Sequence, residues 1–128
     1  MILLDTCTLL WLVGGSDRLS ATARERLSEA AGELFVSSIS AFEIGIKQRK
    51  GKLTLPMDAE RWFAGALEFH GLLEVPVDAR IAVRSTQLPP LHADPCDRMI
   101  VATAQLLGLT VLTPDPGIAA YPDADTAW

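Results

Sequence analysis

Short apolar runs alternate with helix-forming stretches along the whole of this chain, and that alternation leaves few folds open. The first run, Ile2-Leu3-Leu4, is apolar at every position and stops at Asp5-Thr6. A strand without polar alternation has to be covered on both faces, which is the situation in a parallel sheet. Helical signals run from Thr8 to Val13 and stop at Gly14-Gly15. Ser20 caps a second helix through Ala31, ended by Gly32. Leu34-Phe35-Val36 is a second strand. Ser38 or Ser40 opens a helix carrying Phe42, Glu43, Ile44, Ile46 and Lys47, broken at Gly51. Asp58 starts another, with Trp62, Phe63, Leu67 and Phe69, closed by Gly71.

Leu72 to Val77 is a third strand, and Asp78 caps a helix through Gln87. Pro89-Pro90 forces a loop. Asp94-Pro95-Cys96-Asp97 opens the next helix, with Met99, Ile100, Ala104 and Leu107 on its apolar side and Gly108 after it. Thr110 to Thr113 is a fourth strand, Asp115-Pro116 a short helical turn, and Ala124 to Trp128 a final edge strand. The expected class is α/β, with a central parallel sheet of four to five strands flanked by helices. The 128 residues suffice for one core, and no linker, repeat or low-complexity tract divides them, so a single domain over 1–128 is expected.

Composition narrows the function classes. Hydrophobic residues at 49% argue against disorder. The apolar start has no preceding basic residue and is interrupted by Asp5, unlike a secretory signal. The longest apolar-rich run, Met99 to Leu112, is too short and too polar for a membrane span. A cytoplasmic protein is expected. Cys7 and Cys96 lack metal-type spacing, and His70 and His92 stand alone in the sequence, which excludes a zinc-finger-like site. The net charge of −5 counts against nucleic-acid binding, since phosphate contacts need Lys and Arg. The basic residues are nevertheless uneven. Lys47, Arg49, Lys50 and Lys52 lie close together, either as a solvated helix end or as a strip for a phosphate backbone.

The acids have two readings. Singly, Asp5, Asp94 and Asp115 are helix caps, with Asp97 a capping-box-like partner of Asp94. Together, Asp5 and Asp115 leave strand ends and Asp97 enters the helix before the strand that leads to Asp115. In an open parallel sheet such positions converge on the edge where ligands bind. Carboxylates at close range repel unless a cation sits between them. Glu43 lies inside a helix, where capping does not explain it. It is either an i,i+4 partner of Lys47 or a partly buried member of the cluster. An all-carboxylate set suits Mg²⁺ or Mn²⁺, which lower the pKa of water and neutralise charge on a phosphodiester. No Gly-rich phosphate loop is present. Cys96, in the first turn of a helix, sits where thiolate is favoured, and its neighbouring acids oppose this. Either both cysteines border the metal site, each being close in sequence to a proposed acid, or they are inert small hydrophobes, which is the simpler expectation; both are expected to be reduced.

Four segments in order then carry a resemblance: L-L-D-T-C at the start, S-x-x-S-A-F-E-I at 37–44, H-A-D-P-C-D-R-M-I at 92–100 and L-T-P-D at 112–115. The chain resembles the PIN-domain ribonucleases, in particular the VapC-type toxins of bacterial toxin–antitoxin pairs. The resemblance implies a three-layer PIN-like fold. It also implies a metal-dependent endoribonuclease that cleaves single-stranded RNA through a metal-activated water, with Mg²⁺ or Mn²⁺ as cofactor. Asp5, Glu43, Asp97 and Asp115 carry over as metal-binding acids, with Asp94, Thr6 and Thr113 in support. A VapB-type antitoxin and a homodimer are the implied partners. The departure from the family pattern is Asp115-Pro116-Gly117, where many relatives carry a basic residue after the acid. A haloacid-dehalogenase-type phosphatase needs a second Asp where Cys7 stands, and a response-regulator receiver needs an acidic pair and a later Lys that are not in place. The remaining alternative is a catalytically degenerate PIN domain that only binds a protein.

Overall fold

The computed structural model describes residues 1–128. Five strands, β1 (Ile2–Leu4), β2 (Leu34–Ser37), β3 (Leu73–Val75), β4 (Thr110–Leu112) and β5 (Thr126–Ala127), form one sheet in the order β3-β2-β1-β4-β5. Every pairing is parallel. Seven helices connect and flank them: α1 (Thr6–Gly14), α2 (Ala21–Glu29), α3 (Ser38–Arg49), α4 (Ala59–His70), α5 (Ala79–Thr86), α6 (Pro95–Leu107) and α7 (Pro116–Ala119).

The expected three layers follow from β1. Ile2 and Leu4 project into one core with Leu9, Ala23, Trp62 and Phe63, while Leu3 projects into the other with Ile81, Ile100, Val111 and Tyr121. All three residues are buried, as an unalternating strand requires. Each fully buried aliphatic side chain contributes about 1.5–3 kcal/mol of transfer free energy, which fixes β1 at the centre.

Boundaries differ from the expectations where a side chain intervenes. The first helix starts at Thr6 rather than Thr8 because Asp5 is its N-cap, accepting from Thr8 N at 2.9 Å. The third starts at Ser38 because Ser37 caps it, accepting from Ile39 N at 3.1 Å. β3 stops at Val75, before Pro76, which has no N–H to give to the ladder. β4 stops at Leu112, after which the Thr113 hydroxyl turns to Asp5. No helix is long and apolar enough to cross a membrane.

From β1 the chain steps outward through β2 and β3, then returns to the other side of β1 for β4 and β5. The reversal puts the topological switch point between β1 and β4, at whose carboxyl ends open parallel sheets usually bind ligands.

Candidate active site

β1 and β4 are neighbours with Leu4 opposite Leu112, so the residues that follow them emerge side by side. Thr113 Oγ1 donates to Asp5 Oδ2 and accepts from Asp115 N at 3.0 Å. One Asp5 oxygen caps α1 and the other meets Thr113, yet a carboxylate has further lone pairs for a cation. Asp5 is thus both a cap and a member of the rim. Asp115 also combines the two, since its Oδ1 accepts from Gly117 N at 2.8 Å at the start of α7.

Glu43 sits in mid-helix with its side chain 18% exposed. Thr6 Oγ1 donates to Glu43 Oε1 at 2.7 Å, and Lys47 Nζ lies 3.4 Å from Oε2. Both readings of Glu43 therefore hold: it pairs with Lys47 and it faces the acids. Thr6 in turn shares a hydrogen bond with Ser40 at 2.9 Å, and both hydroxyls are buried. Ser40 escaped the sequence reading as a site residue, although its place three residues before Glu43 puts it on the same helical face.

Asp94 caps α6, accepting from Cys96 N at 2.8 Å. Asp97 does not complete a capping box. Its Oδ2 instead lies 2.8 Å from His92 Nε2, which is also 3.9 Å from Asp115 Oδ2. One ligand atom each from His92, Asp97 and Asp115 falls within 4.8 Å of the others. His92 therefore does not stand alone, and the rim is not purely carboxylate. The reading missed it because it lies in a loop, where no periodicity links it to Asp97 or Asp115. Its only signal was membership of the H-A-D-P-C-D segment.

The rim is strongly negative. Burial pushes the Asp97 carboxyl up to about 6, and the charges of Asp94, Glu43 and Asp115 add to this while His92 opposes it. Burial and then Asp5 push the Cys7 thiol up to about 12. Burial and then Glu43, Asp94 and Asp97 push Cys96 up to about 11. The helix-start position does not make Cys96 a thiolate, because desolvation and the negative charge of three acids outweigh the dipole. Both free cysteines border the site as neutral thiols.

The basic strip divides. Lys47 reaches the rim through Glu43, whereas Arg49, Lys50 and Lys52 are exposed around the end of α3. The structure thus gathers Asp5, Thr6, Glu43, Asp97, Thr113 and Asp115 at one edge, leaves Asp94 beside it as a cap, and adds His92. Oxygen donors with one imidazole form a donor set that fits a divalent cation.

Residues 2–124 match the PIN domain family. The chain is 29% identical over 130 residues to ribonuclease VapC22 of Mycobacterium tuberculosis, spanning 99% of this chain and 98% of that protein. Its fold matches a chain of the DNA-bound VapBC complex from Salmonella typhimurium with a TM-score of 0.71 at 22% identity, over 98% of this chain and 96% of that one. It matches a chain of VapBC2 from Rickettsia felis, bound to a promoter DNA fragment, with the same TM-score at 15% identity, over 99% and 98%. With nearly every residue inside the family match, the chain belongs to the PIN domain family.

Proposed function

We propose that this chain is a metal-dependent endoribonuclease and the toxin of a toxin–antitoxin pair, acting in the cytoplasm as a single-domain protein. The observation that carries the reading is the convergence of Asp5, Glu43, Asp97 and Asp115 at the carboxyl edge of β1 and β4 in a PIN domain. Its relatives' names support the assignment, since one is a ribonuclease and the structural neighbours are toxin–antitoxin complexes.

Asp5, Glu43, Asp97 and Asp115 would hold Mg²⁺ or Mn²⁺. When bound, the ion supplies activation of water and neutralisation of charge on the phosphodiester. The chain's own groups prepare the site. Thr113 orients Asp5, Thr6 orients Glu43, and Lys47 offers a cation beside Glu43 to a phosphate. The cognate partner is a VapB-type antitoxin that covers the acidic rim, and the active species is a homodimer.

Cleavage of a labelled single-stranded RNA is expected to vanish in EDTA and to return with Mg²⁺ or Mn²⁺. Full activity in chelator would overturn the reading. No cleavage with bound metal would leave the binding-only alternative.

Arg49, Lys50 and Lys52 form a separate steering surface for RNA. Replacing all three by Gln is expected to weaken RNA binding and reduce its salt dependence by about two to three ions. Filter binding across a salt series reads this directly, and an unchanged slope would reduce the three to a solvated helix end.

A further inference from the structure

The imidazole of His92 occupies a seat that depends on a glycine. A Cβ built on Gly117 would lie 2.8 Å from His92 Cδ2 and 3.0 Å from Nε2, closer than side chains tolerate. Gly117 does not need its conformational freedom, since it is absent from the positive-φ glycines. Its use here is space, and the His92 ring fills that space with Nε2 turned to Asp97 and Asp115.

The loop that carries His92 is held from below by Arg98. Its guanidinium donates to the carbonyls of Ser85, Leu88 and Pro89, each at 2.9 Å, to Tyr121 Oη at 3.1 Å and to the carbonyl of His92 itself at 3.3 Å. Tyr121 Oη also donates to that His92 carbonyl at 3.4 Å. No carboxylate pairs with Arg98, so its donor capacity is spent on fixing backbone. The ring is positioned by packing and by its anchored backbone, as a preorganised ligand has to be.

We propose that His92 is a metal ligand together with Asp97 and Asp115, and that this imidazole–carboxylate trio selects a first-row transition ion over Mg²⁺. The inference rests on the metal-dependent reading above and refines which ion the site takes. Mg²⁺ prefers oxygen donors and gives up its waters reluctantly, whereas imidazole nitrogen suits transition ions. Without an ion, Nε2 lies 2.8 Å from Asp97 Oδ2. Ligation needs the Nε2 lone pair, so the single proton of a neutral imidazole has to sit on Nδ1, which makes no hydrogen bond within the chain. Arg98 and Gly117 act through His92 and are positioning residues.

Mn²⁺ is the probe, because it reports nitrogen ligation without any turnover. Metal-free protein is titrated with Mn²⁺, free Mn²⁺ is counted by EPR, and pulsed EPR reads ¹⁴N modulation on the bound ion, with Mg²⁺ as competitor. Wild type is expected to show ¹⁴N modulation. His92→Gln should lose it, and its preference for Mn²⁺ over Mg²⁺ should fall about tenfold. Gly117→Ala alters no ligand, and by displacing the ring it should have the same two effects. Thermal melts verify that both variants fold. Bound Mn²⁺ without ¹⁴N modulation in wild type, or an undiminished Mn²⁺ preference in His92→Gln, would overturn the proposal. RNA cleavage measured on the same samples separates the two readings. Cleavage with Mn²⁺ but no nitrogen ligand removes His92 and keeps the nuclease. Nitrogen-ligated Mn²⁺ without cleavage keeps the trio and removes the nuclease.

Discussion

Glu43→Gln is expected to lower RNA cleavage by about a hundredfold or more while leaving the metal-free protein as stable as wild type. Among the four acids Glu43 separates function from folding most cleanly. Asp5 and Asp115 each cap a helix, so replacing them mixes a lost ligand with a lost cap of about 0.5–2 kcal/mol. Glu43 has no such role, because Ser37 caps α3. Gln keeps the helix propensity, and its amide oxygen still accepts from Thr6. The lost pair with Lys47 is partly exposed and is worth about 0–1 kcal/mol. Relief of repulsion toward Asp97 works in the opposite direction. Melts without metal should therefore coincide, whereas Mg²⁺ or Mn²⁺ should raise the melting temperature of wild type more than that of the variant. Asp94→Asn is the control, since Asn still caps Cys96 N and Asp94 lies outside the trio. Its cleavage should stay within a few-fold of wild type. Normal cleavage by Glu43→Gln would reduce Glu43 to the surface partner of Lys47.

The strands and helices were legible because their signals are local. Apolar runs marked the strands, and Asp58, Asp78, Asp94, Gly71 and Gly108 marked helix ends where the structure has them. Strand order was not legible, since it is set by which helices cover which face. The switch point between β1 and β4 depends on that order. Within the site, the acids were visible through the four ordered segments, and Thr6 and Thr113 were visible with them. His92 and Ser40 were not, for different reasons. Ser40 obeys a helical spacing that was passed over, whereas His92 meets Asp115 only through tertiary packing against Gly117. Three residues met an either-or reading with both roles at once. Asp5 caps α1 and joins the rim, Asp115 caps α7 and joins it too, and Glu43 pairs with Lys47 and faces the acids. A carboxylate has enough lone pairs for such double duty, so the capping reading and the site reading never excluded each other. The basic strip divided because a helix end is short. Lys47 is one turn from Glu43, while the other three cations lie at or beyond the end of α3.

Asp97→Asn should abolish cleavage and, without metal at pH 7, make the protein more stable than wild type. The folded chain holds the Asp97 proton up to about pH 6, against an ordinary value of 3.8, chiefly because the carboxyl is buried and then because other acids surround it. A raised carboxyl pKa means that the folded state binds protons more tightly than the unfolded chain. The associated stability is present in full below about pH 4 and is lost as pH rises through about 6. Above that, ionised Asp97 is a burden on the folded state. A displacement of this size corresponds to about 3 kcal/mol, which solvent access to the side chain reduces to about 1–2 kcal/mol. Asn removes the charge and keeps an oxygen for His92. It also removes an acid from the first turn of α6, a loss of about 0.3–1 kcal/mol that is the smaller effect. The melting temperature should thus rise by a few degrees at pH 7 and hardly change at pH 4, where wild-type Asp97 is already protonated. Saturating Mg²⁺ or Mn²⁺ should reverse the order at pH 7, because wild type gains the binding free energy and the variant has lost a ligand. A variant that melts below wild type at pH 7 without metal would show that ionised Asp97 is stabilised by His92 more than it is opposed by burial and its fellow acids.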